Sequence, residues 1–218
     1  LLAQRDKVVE RAQAKAGDLA HGLKTPLAVL LQEAESADRQ GHTDLAAAIR
    51  QQVDRMQRQM DYHLAHARAA ASGAAPGTRC DVADATEGLA RTLRRLYADR
   101  NLTITLSVSP AHAVRVERAD LEEMIGNILD NTCTWAASSV SVSTTHTESS
   151  IVITVDDDGP GVEEAMCEAV LQRGVRADQT APGSGFGLAI VRDLAEVYGG
   201  GIKLSRSPLG GLRATLML

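Results

Sequence analysis

His21 stands in "LAHGLKTPLAVLL", residues 19–31, two positions from both Leu19 and Leu23 and so roughly 200° around a helix from each. Its ring points away from the apolar stripe and reaches solvent. With a reference pKa near 6.5, much of such an imidazole is neutral at pH 7 and available as a nucleophile. Asn127 and Asn131 in "NILDN" are four apart, which on a helix projects both amides from one face. Carboxamide oxygens suit a hard cation such as Mg²⁺ that also holds phosphate oxygens, while a pair of solvated asparagines is the plain alternative. Asp157, Gly159 and Gly161 form D-x-G-x-G directly after the apolar run "IVITV". A carboxylate at a strand end can accept a hydrogen bond from an exocyclic amine, and the glycines let a flat ring approach the backbone. An ordinary acidic turn would look the same. Gly183, Gly185, Gly187 and Leu188 in "GSGFGL" open a helix whose free N–H groups and dipole can hold phosphate.

These groups need elements to position them. Leu19, Leu23, Leu27, Leu30 and Ala34 trace a helical stripe that "DRQGHTDLA" interrupts; Leu45, Ile49, Val53, Met56, Met60 and Leu64 resume it. Two long helices with a short connection make an antiparallel hairpin with no third element over its seam. Pairing of two copies into a four-helix bundle closes that seam, and packing on the rest of the chain is the other solution. Pro26 removes the hydrogen bond to the Gly22 carbonyl, at a penalty of about 3 kcal/mol in an undisturbed helix, so a bend is expected just after His21. "SGAAPGT", residues 72–78, reads as a linker. Beyond it the periodicity predicts a helix near 84–99, a strand "LTITLSV", a helix near 119–136, and a strand pair "SVSVST" and "SIVITVDD". A helix at 186–198 and closing strands "GIKLS" and "LRATLML" follow. This order suggests an α+β sandwich with its helices on one face. The glycines of 183–187 follow an irregular stretch of about 20 residues rather than a strand, which excludes a dinucleotide fold and reads as a lid.

Composition narrows the class. The chain has 218 residues, 23% charged and 44% hydrophobic, so it is neither disordered nor membrane-embedded. No apolar run approaches the roughly 20 residues that span a bilayer. The net charge of −5 argues against a nucleic-acid partner. It is uneven: residues 1–72 hold ten Lys/Arg against nine Asp/Glu, and residues 73–218 hold thirteen against nineteen. Cys80, Cys133 and Cys167 are odd in number and scattered, which fits a reducing, cytoplasmic compartment and neither a disulfide framework nor a zinc site. The chain opens in mid-helix with no starting Met, and the expectation is a piece of a longer protein.

Taken together, N-x-x-x-N, D-x-G-x-G and G-x-G-x-G-L resemble the N and glycine boxes of the GHKL ATPases, a superfamily of heat-shock chaperones, mismatch-repair ATPases, gyrases and histidine kinases. "HGLKTPL" resembles the H-box of sensor histidine kinases, commonly H-[E/D]-x-[R/K]-[T/N]-P-L, and within them the PhoQ type, which also lacks an acid after the His. "DDGPG", "RG.R.D" and "GLA" recur in the same order, so the resemblance covers nearly the whole chain. It implies a dimerisation and phosphoacceptor hairpin over 1–72, a linker over 73–79, and an α/β sandwich of the Bergerat (GHKL) type over 80–218 that binds ATP and Mg²⁺. By the same resemblance Asp157 reads the adenine amino group and Asn127 and Asn131 place Mg²⁺. The 183–187 glycines close over the triphosphate, and Arg173 and Arg176 of the lid contact phosphates. His21 attacks the γ-phosphorus to give a phosphohistidine and ADP, and the phosphoryl group passes to an aspartate of a response-regulator receiver domain. Thr25, one turn beyond His21, would align the water that reverses that step. The full-length protein is expected to be a homodimer anchored in the bacterial inner membrane, with this part in the cytoplasm.

The sequence also departs from the family. Gly22 stands where many relatives carry the acid that accepts the imidazole proton, and Asp18, three residues upstream of His21 on the same face, is the proposed substitute. Thr134 replaces a residue that is often basic, Leu171 the usual lid phenylalanine, and Ser184 a glutamine. Weaker or differently coordinated nucleotide binding is expected. The other readings are a degenerate kinase acting as a dimeric scaffold, suggested by Gly22 and Thr134, and a GHKL-type ATPase without phosphotransfer, which does not require "HGLKTPL".

Overall fold

The structure is a computed structural model that describes residues 26–53, 56, 79–172, 175, 185 and 187–218. The chain divides into two compact units, Leu1–Gly73 and Ala74–Leu218. In the first, residues 26–39 form helix α1 and residues 43–53 helix α2. The break between them has a local cause. Gly41 takes φ +86°, and its N–H reaches the Asp38 carbonyl at 3.0 Å while the His42 N–H reaches that of Ala37 at 3.0 Å. That pair of bonds is the Schellman arrangement, which satisfies the last carbonyls of α1 and favours glycine at the left-handed position. Arg50 of α2 then bonds Asp38 of α1 at 2.8 Å. Leu27 and Ala34 are buried, as are Ala46 and Val53, each pair seven residues apart along one helix face. Leu30 and Leu45, also on the expected stripe, are 41% and 57% exposed on the single chain, and Ala46 next to Leu45 is buried. Any helix before Pro26, and with it the expected bend, lies outside the described residues.

The second unit is a layer of helices on a sheet. Strands β1 (Arg79–Asp81) and β3 (Ala113–Arg115) form a small antiparallel ribbon. The main sheet contains β2 (Thr103–Ser107), β4 (Ser139–His146), β5 (Ile151–Asp157), β6 (Gly201–Arg206) and β7 (Leu212–Met217). Its order is β2-β4-β5-β7-β6, with β2 and β4 parallel and every other pair antiparallel. Alternation explains its two faces. Leu106, Val142, Val155, Ala214 and Leu204 lie side by side across the strands, whereas the next row holds Ser141, Asp156, Arg213 and Ser205. Helices α3 (Val82–Leu96), α4 (Arg118–Trp135) and α5 (Gly187–Val197) cover the apolar face. α4 packs on β5, α5 on β6 and α3 on β2. Leu121, Met124, Ile125, Ile128 and Leu129 of α4 are fully buried and form the centre of the core.

α4 ends where it does because Arg100 bonds the carbonyls of Cys133, Thr134 and Ala136. A guanidinium there meets both the free acceptors and the negative end of the helix dipole. Cys80, Cys133 and Cys167 are buried and unpaired. Among the described residues no helix is long and apolar enough to cross a membrane.

Candidate functional site

The C-terminal end of α4, the loop after β5 and the turn before β7 meet at Asp157. This last residue of β5 is 1% exposed. Its Oδ1 accepts hydrogen bonds from the N–H of Gly159 at 2.9 Å and of Leu212 at 3.1 Å. Its Oδ2 is buried with no hydrogen-bond partner, the one such side-chain atom among the described residues. Burial drives the carboxyl pKa up, against the lowering effect of those N–H groups, with Asp158 and Asp156 adding to the rise. An unpaired buried acceptor costs on the order of 1–3 kcal/mol, so a donor arriving at Oδ2 recovers free energy that folding left unused. An exocyclic amine has the right chemistry.

The glycines around this carboxylate serve the chain's own backbone. A Cβ on Gly159 would lie 2.4 Å from the Trp135 carbonyl oxygen, and one on Gly211 would lie 2.0 Å from Asp157 Oδ1. Gly161 adopts φ +73° beside Gly211. Their missing side chains let α4, β5 and β7 close on Asp157, a tighter requirement than the approach of a ligand ring alone.

Asp158, which the sequence did not single out, ties the loop down. Its carboxylate accepts from the N–H groups of Ala137, Ser138 and Ser139 at 2.9–3.1 Å and from the Ser138 hydroxyl at 2.6 Å. Burial alone would raise its pKa, but these donors overrule it and hold the carboxyl well below the usual range. Asp156 on the other face makes a two-pronged ion pair with Arg213, at 2.8 and 2.9 Å. The run of acids was the only signal, and it does not say which acid meets which partner.

Asn127 and Asn131 are both half-buried on α4. The Asn127 amide donates to the Glu123 carbonyl at 2.8 Å, and its Oδ1 lies against Gly187, where a Cβ would come to 3.0 Å. The first residue of α5 is thus seated on the first asparagine. Leu188 is half-buried in the opening turn of α5, followed by the buried Ala189, Ile190 and Val191, and Gly185 has φ +70°. Thr134 is turned toward α3, where its hydroxyl contacts Tyr97 at 3.0 Å and donates to the Asp130 carbonyl at 2.8 Å. Leu171 is buried in a 3₁₀ turn, Ala169–Leu171, that packs on α5. Asp18, His21, Gly22, Thr25, Arg173, Arg176, Gly183 and Ser184 lie outside the described residues.

Residues 116–218 match a family model described as histidine kinase-, DNA gyrase B-, and HSP90-like ATPase. The chain is 39% identical over 218 residues to sensor protein kinase CarS of Pseudomonas aeruginosa, spanning 100% of this chain and 48% of that protein. It is 34% identical over 198 residues to sensor protein PhoQ of Escherichia coli, spanning 90% of this chain and 41% of that protein. The solved ATP binding domain of PrrB from Mycobacterium tuberculosis superposes with a TM-score of 0.55 at 28% identity, covering 66% of this chain and 96% of that one. The chain therefore spans just under half the length of the curated relatives it matches.

Proposed function

Because the chain belongs to the PhoQ-like sensor kinases, with a histidine kinase-, DNA gyrase B- and HSP90-like ATPase region over 116–218, we propose that it autophosphorylates His21 and passes the phosphoryl group to a response-regulator aspartate. The buried, unpartnered Oδ2 of Asp157 carries the nucleotide half of this reading, since it fits an adenine amine. Asn127 and Asn131 would hold Mg²⁺, which would supply neutralising charge to the phosphates. Gly183, Gly185, Gly187 and Leu188 present the α5 N-terminus to them, with Arg173 and Arg176 as further phosphate contacts.

A neutral imidazole nitrogen of His21 forms a bond to the γ-phosphorus as the bond to the β–γ bridging oxygen breaks, and ADP leaves. Asp18 takes the imidazole proton. In the second step the phosphoryl group moves from nitrogen to a carboxylate oxygen of the receiver domain, and Thr25 serves the reverse, hydrolytic direction. The domain roles follow: a phosphoacceptor hairpin over 1–72, a linker over 73–79, and the catalytic ATP-binding domain over 80–218. The apolar side chains that α1 and α2 leave exposed support a homodimeric four-helix bundle.

The test is incubation with γ-labelled ATP. Wild type acquires acid-labile, base-stable label, and His21→Ala acquires none. Steady phosphate release without a labelled protein would favour a plain ATPase. No turnover at all would favour the scaffold, a reading that the orientation of Thr134 toward Tyr97 supports.

A further inference from the structure

The ladder between β5 and β7 ends at the pair Asp156 and Arg213. One residue further on, Asp157 still pairs with Val140 of β4 and Leu212 with Arg206 of β6, before the chains enter the Asp158–Gly161 loop and the turn at Gly210 and Gly211. Across the β5–β7 pair itself, the last rung carries a planar guanidinium on a carboxylate. Asp156 is only 6% exposed, and both of its oxygens are engaged, at 2.8 and 2.9 Å. Bidentate geometry of this kind fixes orientation as well as distance. The next residue along each strand points the other way, into the site. There the Leu212 N–H meets Asp157 Oδ1 at 3.1 Å, and the Gly211 N–H meets the Asp157 carbonyl at 3.1 Å.

We propose that Arg213 is a positioning residue for nucleotide recognition: paired with Asp156, it holds β7 in the register that gives the Leu212 N–H to Asp157, and its charge offsets part of that of Asp156 beside that carboxylate. The inference rests on the reading that Asp157 receives the adenine. It assigns a role to a side chain on the opposite face of the sheet, which touches no nucleotide.

The charged surroundings of Asp157 make the effect readable. Its own strand end contributes Asp156 and Asp158, the latter held by its N–H and hydroxyl donors. β7 contributes Arg213. β4 places Val140 opposite, between the uncharged Ser139 and Ser141. α4 brings the uncharged Trp135 carbonyl against Gly159 of the same loop. The Asp156 carboxylate already raises the Asp157 pKa, and without the guanidinium it does so unopposed, so Asp157 takes up a proton at higher pH and ceases to be a pure acceptor.

The experiment uses the full chain and two readouts. The carboxyl carbon resonance of Asp157 is followed against pH without nucleotide, and ADP affinity is measured by calorimetry at pH 6.5. For Arg213→Met we expect the midpoint to rise by about one pH unit and ADP affinity to fall about tenfold. The double variant Asp156→Asn/Arg213→Met should return the midpoint toward wild type and recover affinity only in part, because the ladder end stays unclamped. An unmoved midpoint with unchanged affinity in Arg213→Met overturns the proposal. If that variant does not fold, Arg213→Lys keeps the charge and loses the fork. Affinity should then drop several-fold with the midpoint in place, and unchanged affinity overturns the positioning role. Wild type that binds no ADP would refute the nucleotide reading itself, whereas the carboxyl midpoint is read with no nucleotide present and judges Arg213 alone.

Discussion

Asp156, Asp157 and Asp158 are chemically identical and consecutive, yet they occupy three different electrostatic situations. Asp156 is ion-paired with Arg213, Asp157 is desolvated with one oxygen unpaired, and Asp158 is saturated with donors. Alternation along a strand end separates the first two by face, and the loop turns the third onto the segment that leads from α4 into β4. Asp158 has a stability consequence with a definite sign. Its folded pKa lies below the unfolded value, so its contribution is fully present above the unfolded pKa and is lost as pH falls through the folded one. Asp158→Ala should therefore cost about 1–2 kcal/mol at pH 7, the lower range because the freed N–H groups of Ala137 and Ser138 lie in exposed chain and can take water. The gap to wild type should begin to close below the ordinary Asp pKa, about 4. Denaturant titrations of both proteins at pH 7 and pH 3 measure it; equal stability at pH 7 would show that the donors are dispensable. Asp157 was legible in the sequence because D-x-G-x-G has a fixed local spacing. Asp158 and Arg213 were not, since their partners lie 19–21 and 57 residues away and only the fold brings them together.

The elements that read most clearly are those with room to show a period. The helix expected near 119–136 is α4, Arg118–Trp135, and the strand pair after it is β4 and β5, offset by a residue or two. The β1–β3 ribbon escaped because strands of three residues cannot display alternation. Within the hairpin, the stripe position at Leu45 is exposed while the adjacent Ala46 is buried, because a helical stripe admits either of two neighbouring positions. Where α5 begins, sequence and structure agree on a glycine but differ on its purpose. Besides freeing N–H groups for phosphate, Gly187 leaves room for the Asn127 carboxamide. Gly187→Ala tests this. Ala improves helix propensity by about 1 kcal/mol, so stability should not fall. The new methyl, 3.0 Å from Asn127 Oδ1, should turn that amide. Calorimetric titration should then show affinity for Mg-ADP reduced about tenfold, with metal-free ADP little changed. Equal losses with and without Mg²⁺ would mean that Asn127 does not hold the cation.

At the scale of the whole molecule, the two units differ in how fully each buries its own apolar side chains. The second is built around a core of fully buried α4 residues on a five-stranded sheet. The hairpin buries Leu27, Ala34, Ala46 and Val53 but leaves Val29, Leu30, Leu45 and Met56 from 41% to 57% exposed, so a second apolar face runs along it. Under the proposed function, in which His21 accepts the phosphoryl group, pairing through such a face would give that residue the platform of a two-hairpin bundle. Symmetric pairing repeats every contact, so one substitution is felt twice. Burying a leucine is worth about 1.5–3 kcal/mol, and a glutamate in its place adds an uncompensated charge. Leu30→Glu should accordingly raise the dimer dissociation constant by at least about a thousandfold, which sedimentation velocity across a concentration series reads directly. ADP affinity at Asp157, which belongs to the other unit, should be unchanged, which separates lost pairing from general unfolding. If Leu30→Glu sediments as the same dimer as wild type, that face is not the dimer seam, and the bundle must form through another surface.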